Sequence, residues 1–598
     1  MPISASARFG AAGLAIAIAA LPAIGQDRPE SILPPGFGTT APTPAPSATR
    51  APGAAPTDAP ASSTGQGATV QPLPTPALSP SPSITPTATP TIDAATLAQY
   101  EMPSFARRSL AEIGPTTSSE GGLPRDAFGA ADGGYLEALM RRVAAPLPSR
   151  WLSILLRRTL VSRVTTPDRL NGADFAAERA WLLVRMGEAV AARAVVQSVD
   201  TANFTPKLYQ VALNTALAAG DPGALCPLAD AAAGVTRERG WTMAQAMCAG
   251  LSGNPNEAKQ LITAARRRGI ASGIDLQLAQ KIVGAGPNGG QAVTIEWDGV
   301  DRLTTWRFGL AAATSVVIPP AMFDAVGAQA RYWYALAPGI ALADRLPAAE
   351  AAAAQGVLSS AALVDLYGAI GSSDDAGAAG ATATDLRAAF VGADRAARLA
   401  GLRAVWGDAT GAPPFARLVL TARAAARLPV VAEAEEADAL VASMLTAGLD
   451  RSAARWAGSV EDGGDAWAMI ALADPDARGP LGYGAVSGYS GADDAAVKQR
   501  LLFAGLAGLG RLSPDDIERG AASLEVPIGA QNSWTRALDT AVARREPGTV
   551  VLLAAIGLQT PAWRGVPPAM FYRIIAALRQ VGLEGEARMI AAEAIARA

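Results

Sequence analysis

Apolar residues in much of this chain recur at intervals of three and four, which is the period of an amphipathic helix. Two clear stripes are Phe571, Ile574, Ile575 and Leu578, and Leu152, Leu155, Leu156 and Leu160. Trp151 and several arginines flank the second stripe, which predicts a surface helix whose inner face lies in the core. The alternative is a helix that lies on a membrane or docks a partner. We expect at most one short strand, at Glu296–Asp301.

Glycines mark the ends of several predicted helices at a fixed interval. Gly187, Gly220, Gly253 and Gly286 are each 33 residues after the previous one. Gly220 precedes Asp-Pro and Gly253 precedes Asn-Pro, and a capping side chain followed by proline is typical of a helix start. Asn254 and Glu257 have the spacing of a capping box. We therefore interpret each glycine as a turn from one helix to the next.

This segment resembles the tetratricopeptide-like class of helical hairpin repeats. In that class the second helix follows a glycine and a capping residue, with alanine five places after the glycine, as in Gly187 to Ala192 and Gly253 to Ala258. Gly220 departs from it with Leu225, and the Trp and Tyr signature positions of the class are not kept. The resemblance implies an α-solenoid of antiparallel helix hairpins that acts as an interaction scaffold.

Helical signals continue to the C-terminus with less regular spacing. Similar turns are predicted at Gly448 and Gly582, Ser513 begins a helix, and Pro-Pro-Ala-Met-Phe opens a helical run at both Pro319–Phe323 and Pro567–Phe571. Two segments rich in small residues, Gly284–Val300 and Gly371–Ala383, are predicted to be loops. We accordingly divide the folded part into a repeat domain at 99–290 and a second helical array at 291–598.

The first hundred residues have a different composition. Residues 1–25 place Arg8 before an apolar run from Phe9 to Ala20, which predicts a Sec-type signal peptide cleaved after Gly25. An uncleaved membrane anchor is the alternative. Residues 26–98 hold 16 of the 44 prolines among Ala, Thr and Ser, which predicts a disordered linker. The mature protein is then periplasmic or secreted, with no transmembrane segment.

Composition narrows the possible functions. Alanine is abundant while aromatic residues make up 5% of the chain, which favours an all-α fold. The net charge of −3 argues against binding to nucleic acid. The chain has no histidine, so it lacks the usual proton shuttle and the commonest metal ligand. We predict no cofactor and no metal site.

Cys226 and Cys248 are the only cysteines. They lie on neighbouring predicted helices at equal distances from the bend between them, so they should face each other. In an exported protein such a pair favours a disulfide over two free thiols in the core. A redox-active pair is a weaker alternative, because the cysteines lack close Cys-x-x-Cys spacing.

Paired carboxylates leave one enzymatic alternative, because glycoside hydrolysis can proceed without histidine. Acidic residues cluster at Asp374 and Asp375, and again at Glu433, Glu435, Glu436 and Asp438. Lytic transglycosylases mount a catalytic domain on a helical superhelix, but their Glu-Ser motif is found here only at Glu30-Ser31, in the predicted linker. The acidic clusters are more typical of solvated helix faces.

The sequence therefore predicts a non-catalytic exported scaffold that binds a protein or a cell-envelope component through a concave helical surface. An enzyme that acts on peptidoglycan or another carbohydrate is the alternative. A third possibility is a spacer that stiffens the envelope without a specific ligand.

Overall fold

A computed structural model describes residues 102–290, 292–373, 377–407, 413–431 and 435–598. The predicted signal peptide and the proline-rich linker lie outside the described residues. The chain divides into two units. Among the described residues, those from 108 to 598 belong to the first unit, and 102–107 belong to the second, which holds a 3₁₀ helix at Ser104–Ala106.

The described part of the first unit is predominantly helical, as predicted. Its first nine α-helices are α1 Gly133–Arg142, α2 Arg150–Val161, α3 Gly172–Arg185, α4 Ala189–Val196, α5 Pro206–Ala218, α6 Ala229–Val235, α7 Arg239–Leu251, α8 Pro255–Arg267 and α9 Gly273–Gly284. The next nine are α10 Thr305–Ala313, α11 Ala321–Asp324, α12 Gln329–Leu336, α13 Leu342–Gln355, α14 Ser360–Gly371, α15 Gly377–Val391, α16 Arg395–Trp406, α17 Phe415–Ala425 and α18 Ala437–Thr446.

The remaining α-helices are α19 Asp450–Ala454, α20 Asp465–Ala473, α21 Tyr483–Ser487, α22 Ala495–Gly508, α23 Pro514–Ser523, α24 Ser533–Ala543, α25 Pro547–Gly557, α26 Pro568–Gln580 and α27 Glu584–Arg597. Further 3₁₀ helices span Ser118–Glu120, Thr201–Asn203, Pro222–Leu225, Ala457–Ser459 and Trp563–Gly565. Two short strands, β1 Glu112–Ile113 and β2 Val164–Thr165, pair antiparallel.

Three of the four predicted glycine turns have one common geometry. Gly187, Gly220 and Gly253 have φ of 85°, 65° and 82°, which glycine adopts without steric cost. The amide after each glycine donates to a carbonyl five residues earlier over 2.9 Å: Glu188 to Leu183, Asp221 to Ala216, and Asn254 to Ala249. These bonds satisfy carbonyls that the end of a helix would otherwise leave unpaired. The prediction of helix-to-helix turns is confirmed at these positions.

The prediction of a fourth helix-to-helix turn, at Gly286, is wrong. Gly286 is followed by an irregular segment, and the next helix begins only at Thr305. A Cβ at Gly286 would lie 2.2 Å from the carbonyl oxygen of Gly250 in α7, so glycine is needed here for close approach to a neighbouring helix. The predicted capping box of Asn254 and Glu257 does not form. Asn254 makes no side-chain capping bond, and its ψ of 64° is outside the extended range typical of such a cap.

Two predictions about irregular segments also change. Glu296–Asp301 forms no strand, and the strand pair of the described residues lies instead at β1 and β2. The predicted loop at Gly371–Ala383 is helical from Gly377 onward, as α15. Its run of alanines favours the helix strongly enough to outweigh the glycines within it. The Gly284–Val300 segment is irregular after α9, as predicted.

Helix α2 is central to the packing of this unit and not a surface helix as predicted. Leu152, Leu155, Leu156 and Leu160 are at most 1% exposed, and Arg150 is 3% exposed. No residue of α2 is classed as exposed. The helix contacts α3 and α4 from the early part of the chain, α13 from the middle, and α25 and α27 from the end.

Glu593 of the last helix caps the N-terminus of α2. Its carboxylate accepts from Ser149 Oγ at 2.7 Å, from the Arg150 amide at 2.8 Å and from the Trp151 amide at 3.1 Å. Arg597 donates to the same carboxylate at 2.8 Å. A negative charge at the positive end of the helix dipole is stabilising, and the two amides would otherwise lack partners. One buried carboxylate therefore joins α2 to the C-terminal helix.

The guanidinium of Arg150 joins α2 to two further helices. Its Nε donates to the carbonyl of Thr446 at the end of α18 over 3.2 Å, and its Nη1 donates to the carbonyl of Ala353 near the end of α13. Burial lowers the pKa of Arg150 to about 10, so the group keeps its charge at neutral pH. A cation beside the negative ends of two helix dipoles is favourable.

Contacts also cross the predicted division at residue 290. Trp333 Nε1 of α12 donates to the carbonyl of Val184 in α3 over 3.1 Å. A Cβ added to Gly187 would lie 2.6 Å from the Tyr332 side chain. In a purely linear repeat array each repeat contacts only its neighbours. Residues on both sides of 290 here pack against each other.

Glu188, in the first glycine turn, is a buried carboxylate that contacts α2. It is 5% exposed and accepts from Arg157 Nη1 at 2.7 Å, while Arg157 also donates to the carbonyl of Gly356 at 2.8 Å. Burial raises the pKa of Glu188 to about 7, and the charge of Arg157 only partly offsets this effect. The folded protein therefore holds a proton on Glu188 at pH values where the unfolded chain has lost it.

We predict that Glu188 makes the fold less stable as pH rises from about 5 to about 8. Since its folded pKa lies above its unfolded pKa, its stabilising contribution is complete below the unfolded pKa and lost as pH rises through the folded pKa. Glu188→Gln should abolish this loss, which we expect to be on the order of 2–3 kcal/mol. Urea denaturation of both proteins at pH 5 and pH 8 measures it, with exposed Glu584→Gln as control. Parallel pH dependence in wild type and Glu188→Gln would contradict the assignment.

Candidate functional site

The two cysteines are brought together in the repeat segment. Cys226 directly follows the 3₁₀ helix Pro222–Leu225, whose start is capped by Asp221 accepting from the Ala224 amide at 3.2 Å. Cys248 lies in the last turn of α7. The two sulfur atoms are 2.05 Å apart and the Cα atoms 5.3 Å apart. The predicted partners are thus at disulfide distance, across 22 residues of chain.

The opposite end of α7 borders a cavity of about 320 Å³, which we call the groove. Its walls come from α5, the first turns of α7 and α9, and the start of α10. Its apolar lining residues are Leu213, Leu217, Met243, Ile270 and Ala271. Its polar lining residues include Asn214, Glu238, Arg239, Asp275, Arg302 and Trp306.

Two glycines allow the walls of the groove to approach α5 closely. A Cβ at Gly240, in the first turn of α7, would lie 2.6 Å from a methyl group of Leu213. A Cβ at Gly309, in α10, would lie 2.5 Å from the carbonyl oxygen of Leu217. Neither position was singled out from the sequence, because an isolated glycine within a helical segment does not reveal which helix it approaches.

The acidic groups of the groove already have partners. Asp275 accepts from Arg307 Nε at 2.8 Å, and its backbone carbonyl accepts from Trp306 Nε1 at 3.2 Å. Glu238 accepts from Gln210 at 2.9 Å. By contrast, Arg239 is exposed and forms no ion pair with the residues that the structure describes. The groove therefore combines an apolar surface, a fixed indole ring and an available guanidinium.

The acidic clusters considered for carbohydrate chemistry lie elsewhere. Asp374, Asp375 and Glu433 are outside the described residues. Glu436 forms an ion pair with Arg403, and Glu435 lies 3.8 Å from the same guanidinium with its side chain 90% exposed. Asp438 accepts from the Ala466 amide at 2.6 Å and so caps the start of α20. The described acidic residues of this cluster thus make ordinary helix-surface and capping contacts.

The structure contains two buried charge networks that the sequence did not predict. Lys498 is 6% exposed and donates to Asp465 over 2.7 Å, and the Tyr489 hydroxyl donates to the same carboxylate. Burial, followed by the bond to Asp465, raises the pKa of Tyr489 above its usual range. Lys207 forms an ion pair at 2.7 Å with Glu178, which is 1% exposed. Only the scarcity of lysine could have drawn attention to these residues.

The described residues hold no cluster of three or more acidic or cysteine side chains suited to a metal ion. In the same part of the chain, no helix is both long enough and apolar enough to cross a membrane. No protein-family model, curated protein or solved structure matches the chain.

We predict that thiol titration of the denatured, unreduced protein finds no free cysteine. Closing the loop between Cys226 and Cys248 should contribute roughly 3 kcal/mol in the chain-entropy model. Reduction should therefore lower the urea midpoint of the wild type. The double variant Cys226→Ser/Cys248→Ser should have a lower midpoint that is insensitive to reductant. Two free thiols in the unreduced wild type would contradict the disulfide.

Proposed function

We propose that this chain is a non-catalytic, exported helical-repeat scaffold that binds a protein or cell-envelope partner through the groove. The observation that carries the proposal is the combination of apolar walls with the exposed, unpaired guanidinium of Arg239. A concave site that is mostly apolar, with a few polar groups at fixed positions, is typical of recognition sites.

The size of the groove limits what it can hold. Its volume of about 320 Å³ lies at the lower end of the range for ligand pockets, roughly 300–1,000 Å³. It can therefore enclose one or two side chains of a partner segment more readily than a large cofactor. Arg239 favours a segment in which a carboxylate lies next to an apolar side chain, because guanidinium and carboxylate form strong paired hydrogen bonds.

The tetratricopeptide-like interpretation supports the same proposal. The common geometry of the turns at Gly187, Gly220 and Gly253 is what successive helix hairpins of one type require. We propose that these hairpins form a short solenoid within the larger helical unit. Fold analogy alone is a weak guide to function, so the proposal depends chiefly on the groove.

Export is the second part of the proposal. Residues 1–25 have the pattern of a Sec-type signal and residues 26–98 that of a flexible linker. Cysteines at disulfide distance are typical of proteins that fold in oxidising compartments. We therefore place the mature protein in the periplasm or outside the cell.

The groove is tested with a charge reversal at its rim. Immobilised wild-type chain should retain a partner from envelope extract in a saturable and stoichiometric way, and Arg239→Glu should reduce retention at least about tenfold by repelling an acidic segment. Arg266→Glu, which changes another exposed arginine near the end of α8, is the matched control and should behave as wild type.

Two results would contradict the scaffold proposal. One is the absence of any saturable partner, which would favour a spacer without a specific ligand. The other is release of soluble fragments from purified peptidoglycan incubated with the wild-type chain, which would favour the carbohydrate-acting enzyme. Equal loss of binding in Arg239→Glu and Arg266→Glu would place the binding surface outside the groove.

A further inference from the structure

A second cavity, of about 280 Å³, lies between the start of α1 and the helices α24 and α25. We call it the amine pocket. The lining residues that α24 supplies are uncharged, and Arg544, which directly follows α24, lines the edge of the pocket and is exposed. Asp132 and Tyr135 line it from the α1 side, and Glu546 and Thr549 line it from the start of α25.

Two polar side chains in this pocket are buried without partners. Glu546 and Thr549 are each 2% exposed. Glu546 Oε1 and Thr549 Oγ1 make no hydrogen bond within the described part of the chain. An unpaired buried hydroxyl is destabilising, and an unpaired buried charge is more so. Most buried polar atoms in native proteins do have a partner, so these two unpaired atoms beside one cavity are unusual.

The backbone around Glu546 holds its side chain in this position. Arg545 has a φ of 55°, and the Glu546 amide donates to the carbonyl of Ala541 at 3.0 Å, which closes the turn between α24 and α25. Gly129 packs against the Glu546 side chain. A Cβ there would be 2.8 Å from Glu546 Cγ and 3.1 Å from Oε1, so glycine leaves the space that this carboxylate occupies.

The charge in the pocket favours a cation. Asp132 accepts from the Tyr135 amide at 3.0 Å and forms an ion pair with Arg169, so its charge is compensated. The Gly548 amide at the start of α25 already donates to the carbonyl of Ala127 at 2.7 Å and cannot hold an anion. Glu546 is therefore the buried acidic group of this cavity that forms no ion pair with the residues that the structure describes.

Two of the hydroxyl groups that line the pocket, those of Tyr135 and Thr549, suit the same kind of ligand. Burial, followed by the negative charge of Glu546, raises the pKa of the Tyr135 hydroxyl, so that group stays neutral. Neutral hydroxyl oxygens at Tyr135 and Thr549 can accept hydrogen bonds, and a carboxylate can only accept. A primary ammonium group carries three donors and one positive charge, which matches a set made of one carboxylate and two hydroxyls.

We propose that the amine pocket binds the primary ammonium group of a small molecule, with Glu546 as counterion and Thr549 as hydrogen-bond acceptor. The ammonium could belong to a simple amine or to an α-amino acid. In the second case the exposed guanidinium of Arg544 at the edge of the pocket would hold the ligand carboxylate. This site is separate from the groove and does not depend on the proposed scaffold function.

Calorimetric titration of the full chain at pH 7 tests the proposal, with ethylamine hydrochloride and L-alanine as probes. Sodium acetate and sodium chloride at equal ionic strength are the controls for the anion and for salt. We expect saturable binding of at least one ammonium probe and none of acetate. Glu546→Gln should weaken that binding at least about tenfold, because it removes the counterion while keeping the shape of the side chain.

Variants of two threonines provide a matched pair. Thr549→Val removes the unpaired hydroxyl and should weaken ammonium binding even if Glu546→Gln fails to fold. Thr540→Val changes another threonine that lines the pocket, but its hydroxyl already donates to the Arg536 carbonyl at 2.7 Å, so binding should be unchanged. Arg544→Gln distinguishes the sources, since it should weaken binding of L-alanine and leave ethylamine unaffected.

Two outcomes would overturn the proposal. The first is no saturable binding of either ammonium probe to the wild type, which would mean that the cavity holds water alone. The second is binding of equal strength in the wild type and in folded Thr549→Val and Glu546→Gln variants, which would place the ammonium elsewhere.

Discussion

The packing of the helices depends most on the capping of α2 by Glu593. Helix α2 is buried among helices from the beginning, middle and end of the chain, and the start of a buried helix leaves amide groups that need partners. The carboxylate of Glu593 supplies those partners and a favourable charge. Removing the Glu593 carboxylate would leave several buried donors without a partner. Its loss should therefore destabilise the fold far more than the loss of an exposed ion pair.

Arg150 extends this arrangement to the opposite ends of two more helices. Its guanidinium lies where the last carbonyls of α13 and α18 converge, and arginine is suited to that place because its donors are planar and its charge persists when buried. Glu593 thus stabilises one helix start and Arg150 stabilises two helix ends, because each charge is opposite in sign to the partial charge of the helix end that it contacts. The groove and the amine pocket are both formed by helices packed on this core or next to it.

Local features of the fold could be predicted from the sequence because their causes are local. The turns at Gly187, Gly220 and Gly253 follow from glycine at a left-handed position. Ser513 caps α23 as expected, and Phe571 and Ile574 are fully buried on the predicted face of α26. Gly286 shows the limit of this reasoning, because its spacing matches the turns while its actual role is close approach to Gly250.

The central contacts and both cavities could not be predicted in this way. Glu593 and Ser149 are 444 residues apart, and nothing next to either residue identifies the other. The second stripe of leucines indicated one buried face for α2, whereas its arginines bind carbonyls and carboxylates inside the core. Likewise, Glu546 is one acidic residue among many until the structure places it in a cavity without a counterion.

Hydrogen–deuterium exchange of the segment 149–152 tests the central role of this cap most directly, in the wild type, in Glu593→Ala and in the control Glu584→Ala. We predict that the Arg150 and Trp151 amides of the wild type and the control are among the slowest to exchange, and that Glu593→Ala accelerates exchange there and at the end of α18. Unchanged slow exchange in Glu593→Ala, or fast exchange of these amides in the wild type while other core helices stay protected, would contradict the account.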